Sequence, residues 1–154
     1  MAKVALITGA NGITGSAILE HLVKYNTSEW SRIIITSRSP LKTTVSDPRV
    51  EFIALDFSNS SETLVEQMRA QCADVTHAYF SSYVHKDDFA ELNKANRSLF
   101  ENFLSALISV SKGLQNCTLQ TGGKYYNVHL RSVPWPARED DPRLIPSEEN
   151  FYYH

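Results

Sequence analysis

A chain of 154 residues, 42% hydrophobic and 21% charged, has the size and make-up of one ordinary globular domain, which excludes a disordered tail, a collagen-like repeat and a coiled coil. Fifteen basic against seventeen acidic side chains leave a formal charge of −2, so no basic surplus points to nucleic acid or to an anionic membrane. Two cysteines, Cys72 and Cys117, are too few for a disulfide framework, and neither they nor the five histidines show ligand spacing, so no metal is expected.

The elements follow almost at once. Lys3 to Thr8 holds a continuous apolar run of the kind buried on both faces of a parallel sheet. With so early a strand leading straight into glycines no signal peptide is expected, and the longest apolar stretch, Phe103 to Val110, is broken by Ser105 and Ser109. The expectation is a cytoplasmic protein that does not enter the membrane. Gly9 to Gly15 reads as a turn, and Ser16 to Tyr25 as a helix with Ala17, Ile18, Leu22 and Tyr25 at helical spacing. Ile33 to Thr36 and Val50 to Leu55 are β-branched or apolar runs that predict the second and third strands, with no helix between them. Thr63 to Gln71 predicts a helix and Val75 to Ser81 a fourth strand, interrupted by His77. The clearest element is a helix from about Asp88 to Lys112, with Phe89, Leu92, Asn96, Leu99, Phe103, Leu107 and Val110 on one stripe. Asp88 and Glu91 are spaced as a capping box, and Gly113 is positioned to end the helix. Cys117 to Thr121 reads as the fifth strand, and residues 122–150, with Pro134, Pro136, Pro142 and Pro146, read as extended loop. This alternation predicts an α/β fold. It is a Rossmann-like, doubly wound parallel sheet of about five strands in the order 3-2-1-4-5, with helices on both faces.

Thr8-Gly9-Ala10-Asn11-Gly12-Ile13-Thr14-Gly15 places three glycines at intervals of three between a buried strand and an amphipathic helix. Such a turn uses glycine for tight backbone angles, for close approach to a pyrophosphate and for helix–strand packing, and the helix start adds free N–H groups. A tight turn in a nucleotide-free α/β protein is the alternative, and it needs three glycines by chance. NAD-binding proteins usually carry an acidic residue at the end of the second strand for the ribose 2′-hydroxyl. This chain has Thr36-Ser37-Arg38-Ser39 there, and an Arg fork clamps a 2′-phosphate. NADP(H) is therefore favoured over NAD(H), against the alternative of a solvent-exposed loop arginine. The candidate cofactor contacts are Thr8, Gly9, Asn11, Gly12, Ile13 and Gly15 on the turn and Ser37 and Arg38 after the second strand. Asp56 and Phe57 stand where an adenine edge is met, and Ser81 lies beside the nicotinamide position.

The glycine segment resembles that of extended or atypical short-chain dehydrogenases/reductases. Thr121-Gly-Gly-Lys124-Tyr125-Tyr126 is similar to the T-G-x-K-x-Y segment of the progesterone 5β-reductase/iridoid synthase-like subgroup. Pro134-x-Pro136-Ala-Arg-Glu139 and Asn150-Phe-Tyr-Tyr153 match the same subgroup, so the resemblance runs over essentially the whole chain. It implies an NADPH-dependent reductase that adds hydride to an enone or carbonyl of a small secondary metabolite, as in fungal and plant members. It also implies that Lys124 and Tyr153 flank the nicotinamide as catalytic residues, with Tyr152 the competing phenol. The alternatives are a loop lysine and a pair of packing tyrosines. The subgroup often has a tryptophan near Tyr83, and Asn96 is read as an organiser of helix and site. Members are longer, so the C-terminal half of the family fold is missing by this reading. The chain then divides into an NADP-binding Rossmann-like part, residues 1–121, and a loop with an incomplete active-site segment, residues 122–154. A catalytically inactive NADP-binding paralogue, or a module that associates with itself or another protein through an exposed sheet edge, is the competing expectation.

Overall fold

The computed structural model describes residues 1–129, 131–133, 135–143 and 152. Along the chain come β1 (Lys3–Thr8), α1 (Ile13–Leu22), β2 (Trp30–Ser37), β3 (Val50–Ala54), α2 (Ser61–Met68), β4 (His77–Phe80), α3 (Phe89–Val110) and β5 (Asn116–Leu119). A 3-10 turn, Gly123–Tyr126, follows β5. The strands form one sheet in the order β3-β2-β1-β4-β5, parallel at every pairing, which is the expected order.

Burial explains the arrangement. Val4 to Thr8 of β1 and Ile33 to Thr36 of β2 are buried on both sheet faces, so they occupy the middle. Leu6 and Ile34 point to one side with Leu64 and Met68 of α2 and Leu99, Phe103 and Leu107 of α3. Ala5, Ile7, Ile33 and Ile35 point to the other side with Leu19 and Leu22 of α1. Phe103 anchors the larger core. Its ring lies 5.1 Å from Phe57 and 4.8 Å from Phe80, and cutting such a buried ring back to alanine costs about 3–5 kcal/mol.

Several boundaries differ from the sequence reading, each for a local reason. Helix α1 begins at Ile13 rather than Ser16, because Gly12 is extended as the N-cap and Gly15 packs within the first turn. It stops at Leu22 rather than Tyr25. Arg49 explains the stop: its guanidinium donates to the Val23 carbonyl at 2.8 Å, to the Tyr25 carbonyl at 2.8 Å and to the Trp30 carbonyl at 3.1 Å. The same guanidinium pairs with Asp47 at 2.7 Å, and that hydrogen bond, with one from the Arg49 backbone, holds the Asp47 carboxyl down at about 2. Strand β2 starts earlier, at Trp30. His77 opens β4 rather than interrupting it, edge-on to Trp30 at 5.3 Å. At the end of α3, Ser111 replaces Gly113 as the terminating residue: its N–H donates to Leu107 and its hydroxyl to the Cys72 carbonyl at 2.6 Å. Only the first half of the proposed capping box is seen, with Asp88 accepting from the Glu91 N–H at 2.8 Å.

The direction of winding reverses between β1 and β4. In an open α/β sheet that reversal leaves a crevice beyond the carboxyl ends of the strands, and there ligands bind.

Candidate functional site

The turn from β1 into α1 crosses the top of this crevice. Gly9 sits at φ +66°, and a Cβ there would lie 2.9 Å from the Ser81 carbonyl oxygen. At Gly15 a Cβ would meet the Gly9 carbonyl oxygen at 2.3 Å, so the first turn of α1 lies directly on the strand end. Gly12 is more open, with the Gly9 oxygen at 3.2 Å. The N-cap of α1 is Gly12 itself, with no side-chain cap and no acidic residue in the first turn. The opening N–H groups of the helix are therefore available to an anion.

Thr8 is fully buried behind the turn and works on β4. Its Oγ1 accepts from Ser81 N at 3.0 Å, Ser82 N at 3.2 Å and Ser82 Oγ at 3.0 Å, while Ser81 Oγ donates to the Thr8 carbonyl at 2.6 Å. Asn11 reaches to the end of β2. Its Nδ2 lies 3.1 Å from Ser37 Oγ, 2.9 Å from Ser39 Oγ and 3.0 Å from the Pro40 carbonyl, and its Oδ1 accepts from Lys42 N at 2.8 Å. Arg38 is exposed on the same loop, and among the described residues it forms no ion pair. Its charge reaches Asp56. Burial alone would raise that carboxyl, but the hydrogen bonds from Ser58 N and Ser58 Oγ, with Arg38, bring it net below the usual carboxylate range.

These pieces line one groove of about 570 Å³. Of the cofactor candidates read from the sequence, the groove wall includes Gly9, Asn11, Gly12, Ser37, Arg38, Asp56, Phe57 and Ser81. Thr8 and Gly15 stand behind it as buried supports, and Ile13 is 90% exposed beside α1. The donor set fits a dinucleotide: an uncapped helix start for a diphosphate, with a guanidinium and a carboxylate on the same groove wall.

A second, smaller pocket of about 220 Å³ continues past Ser81, Ser82 and Tyr83 toward α3 and the segment after β5. Tyr83 lines both. Lys124, on the 3-10 turn, donates to Tyr83 Oη at 2.6 Å and lies 5.1 Å from the centre of its ring. Tyr152 also lines this pocket, and burial, then the neighbouring Tyr83, pushes its phenol above the usual tyrosine value. Tyr153 lies outside the described residues. Asn96 ties the wall to α3: its Oδ1 accepts from Val84 N at 2.9 Å and its Nδ2 donates to Val84 O at 2.8 Å and Leu92 O at 2.9 Å. The sequence reading singled out Lys124 but not its contact with Tyr83, since nothing local links residues 41 apart. The hold of Asn11 on the 37–42 loop was equally invisible. Among the described residues no group of His, Cys, Asp and Glu could hold a metal, and no helix is long and apolar enough to cross a membrane.

Comparison with known proteins adds the following. The model of the PRISE-like Rossmann-fold domain matches residues 5–153. The short chain dehydrogenase gsfE of Penicillium aethiopicum is 59% identical over 154 residues, covering 99% of this chain and 41% of its own length. A 3-oxo-Delta(4,5)-steroid 5-beta-reductase of Arabidopsis thaliana is 32% identical, over 98% of this chain and 39% of its own. Among solved structures, the Bordetella bronchiseptica enzyme WbmH, determined in complex with NAD+, shares the fold at a TM-score of 0.70 and 16% identity, over 99% of this chain and 49% of its own. The chain thus spans about two fifths of the length of these curated relatives.

Proposed function

The chain belongs to the PRISE-like Rossmann-fold family, and from that premise we propose that it is the nucleotide-binding part of an NADPH-dependent short-chain dehydrogenase/reductase. Its substrate, in this reading, is an enone or carbonyl of a small secondary metabolite, reduced in the cytoplasm. The likeness to a 3-oxo-Delta(4,5)-steroid 5-beta-reductase supports that substrate class.

The observation that carries the cofactor choice is the end of β2. Arg38 stands, without an ion pair among the described residues, where a carboxylate would be needed for the 2′-hydroxyl of NADH. The uncapped start of α1 takes the diphosphate, and Asp56, held ionised, faces the adenine end.

When bound, the nicotinamide supplies a hydride. Hydride arriving at the β-carbon of an enone drives negative charge onto the carbonyl oxygen, and a donor aimed there stabilises it as it forms. We assign that donor to Tyr153 and the neighbouring positive charge to Lys124. The Lys124–Tyr83 contact supports the second assignment, because it keeps the ammonium at the inner pocket.

Two measurements test the reading. Purified chain is incubated with NADPH and a simple cyclic enone, 2-cyclohexen-1-one, and loss of the 340 nm absorbance is followed. Consumption that Lys124→Met abolishes is the expected result. NADPH binding without consumption would replace the reductase with a nucleotide-binding form lacking turnover. Gly12→Val, which fills the diphosphate position while leaving Gly9 and Gly15 intact, abolishes NADPH binding; unchanged binding in that variant overturns the site. β5, paired among the described residues on its β4 side alone, is the edge we propose for association with a second chain.

A further inference from the structure

Resting on that cofactor reading, we infer that Asn11 is the positioning residue for the 2′-phosphate: it acts through the 37–42 loop, not by touching the coenzyme. Four contacts carry this. The carboxamide has two protons and meets three acceptors, Ser37 Oγ, Ser39 Oγ and the Pro40 carbonyl, while its oxygen takes the Lys42 N–H. One side chain on the glycine turn therefore fixes both ends of the loop that presents Arg38.

The loop has little else to hold it. Arg38, Ser39 and Pro40 are exposed, and the connection from residue 38 to residue 49 contains no helix or strand. Leu41 and Val45 anchor its far part to the α1 side of the core, but Arg38 stands on the near side of Leu41. The Ala10 N–H donates to the Thr36 carbonyl at 3.1 Å, so the turn already rides on the end of β2, and Asn11 extends that tie past the strand. The Ser37 hydroxyl spends its single proton on the Ser39 carbonyl and accepts from Asn11. Ser37 thus belongs to the loop's internal bonding. Donors to an anion come from the Arg38 guanidinium and the Ser39 hydroxyl, which accepts from Asn11 and keeps its own proton. Without Asn11 the loop keeps its residues but loses its register on the turn, and a forked cation held loosely binds a phosphate less tightly than one held in place.

The consequence is a selective one. Asn11 governs affinity for the 2′-phosphate and leaves the diphosphate and adenine contacts alone. Two probes separate these: adenosine 2′,5′-bisphosphate carries the extra phosphate, and 5′-AMP lacks it. Calorimetric titration of the chain with each, for wild type, Asn11→Ala, Asn11→Ser, Arg38→Ala and the Asn11→Ala/Arg38→Ala double variant, gives the answer. Asn11→Ala is expected to weaken the bisphosphate about tenfold and 5′-AMP less than about twofold. Asn11→Ser, small and compatible with a turn, behaves the same and covers the case in which the alanine variant misfolds. In the Arg38→Ala background the Asn11 change has little further effect, because the group it positions is gone.

Equal weakening of both probes, or no weakening of either, overturns the inference. So does full additivity in the double variant. If wild-type chain binds the bisphosphate no better than 5′-AMP, the NADPH reading fails first, and that result is distinct from a wild type that discriminates with an Asn11 variant that discriminates equally well.

Discussion

The outer groove and the inner pocket are built differently. The groove is framed by strand ends: the glycine turn after β1, the residues that close β2, β3 and β4, and Leu99 of α3. The inner pocket gathers residues from five distant places, Thr14 in the first turn of α1, the end of β4, the middle of α3, the end of β5 with the segment after it, and Tyr152. Where backbone approach sets the chemistry, glycine spacing announces it. Where side chains meet across forty residues, as Lys124 and Tyr83 do, no spacing can.

Variants that attack the two regions sharpen that contrast. The largest effect is expected at Gly15→Val, whose Cβ would enter the Gly9 backbone at 2.3 and 2.7 Å. Backbone cannot give way as a flexible side chain would, so thermal melting should show the folded state lost or severely lowered, and groove binding with it. A melting curve like wild type would show that the turn can move away from α1.

Asn96→Ala comes next. It leaves Val84 N and two carbonyls, Val84 O and Leu92 O, without their partner, a loss of about 2–3 kcal/mol by chemical denaturation. Because Val84 lines the groove and Asn96 lines the inner pocket, both regions should loosen. A variant that loosened only one would separate them more than the shared wall suggests.

Thr8→Val keeps the shape of the buried side chain but removes the oxygen that accepts from Ser81 N, Ser82 N and Ser82 Oγ. The expected loss is about 1–3 kcal/mol, with weaker nucleotide binding and little change to residues beyond β4. Amide hydrogen exchange at Ser81 and Ser82 checks it.

The smallest effect is electrostatic and lies away from both regions. The Asp47 carboxyl is held at about 2, below its ordinary value of 3.8, by hydrogen bonds from the Arg49 side chain and backbone. A depressed folded value stabilises the fold above the unfolded pKa, and that stabilisation is lost as pH falls from about 4 through about 2. Asp47→Asn should therefore flatten the acid limb of the stability curve between those values, while nucleotide affinity at neutral pH stays the same.

The same contrast describes what could be read from residues alone. Strand order and the glycine turn into α1 were legible, because the continuous apolar runs Val4 to Thr8 and Ile33 to Thr36 and the glycine spacing are local signals. Helix ends were not. The stop of α1 depends on Arg49, 27 residues beyond Leu22, and the stop of α3 on the Cys72 carbonyl. Of the cofactor candidates, Thr8 and Gly15 turn out to be supports behind the wall, a distinction that only side-chain direction reveals. The proposed Lys124–Tyr153 pairing falls on a residue outside those described.

In the proposed binding mode a nucleotide lies along the first turn with its extra phosphate beside Arg38. Calorimetric titration of the chain with NADPH and, separately, NADH addresses this directly. Tighter binding of NADPH by about tenfold or more, with the preference erased in Arg38→Ala, is the predicted result. Equal affinity for the two, a preference for NADH, or no binding of either would contradict it.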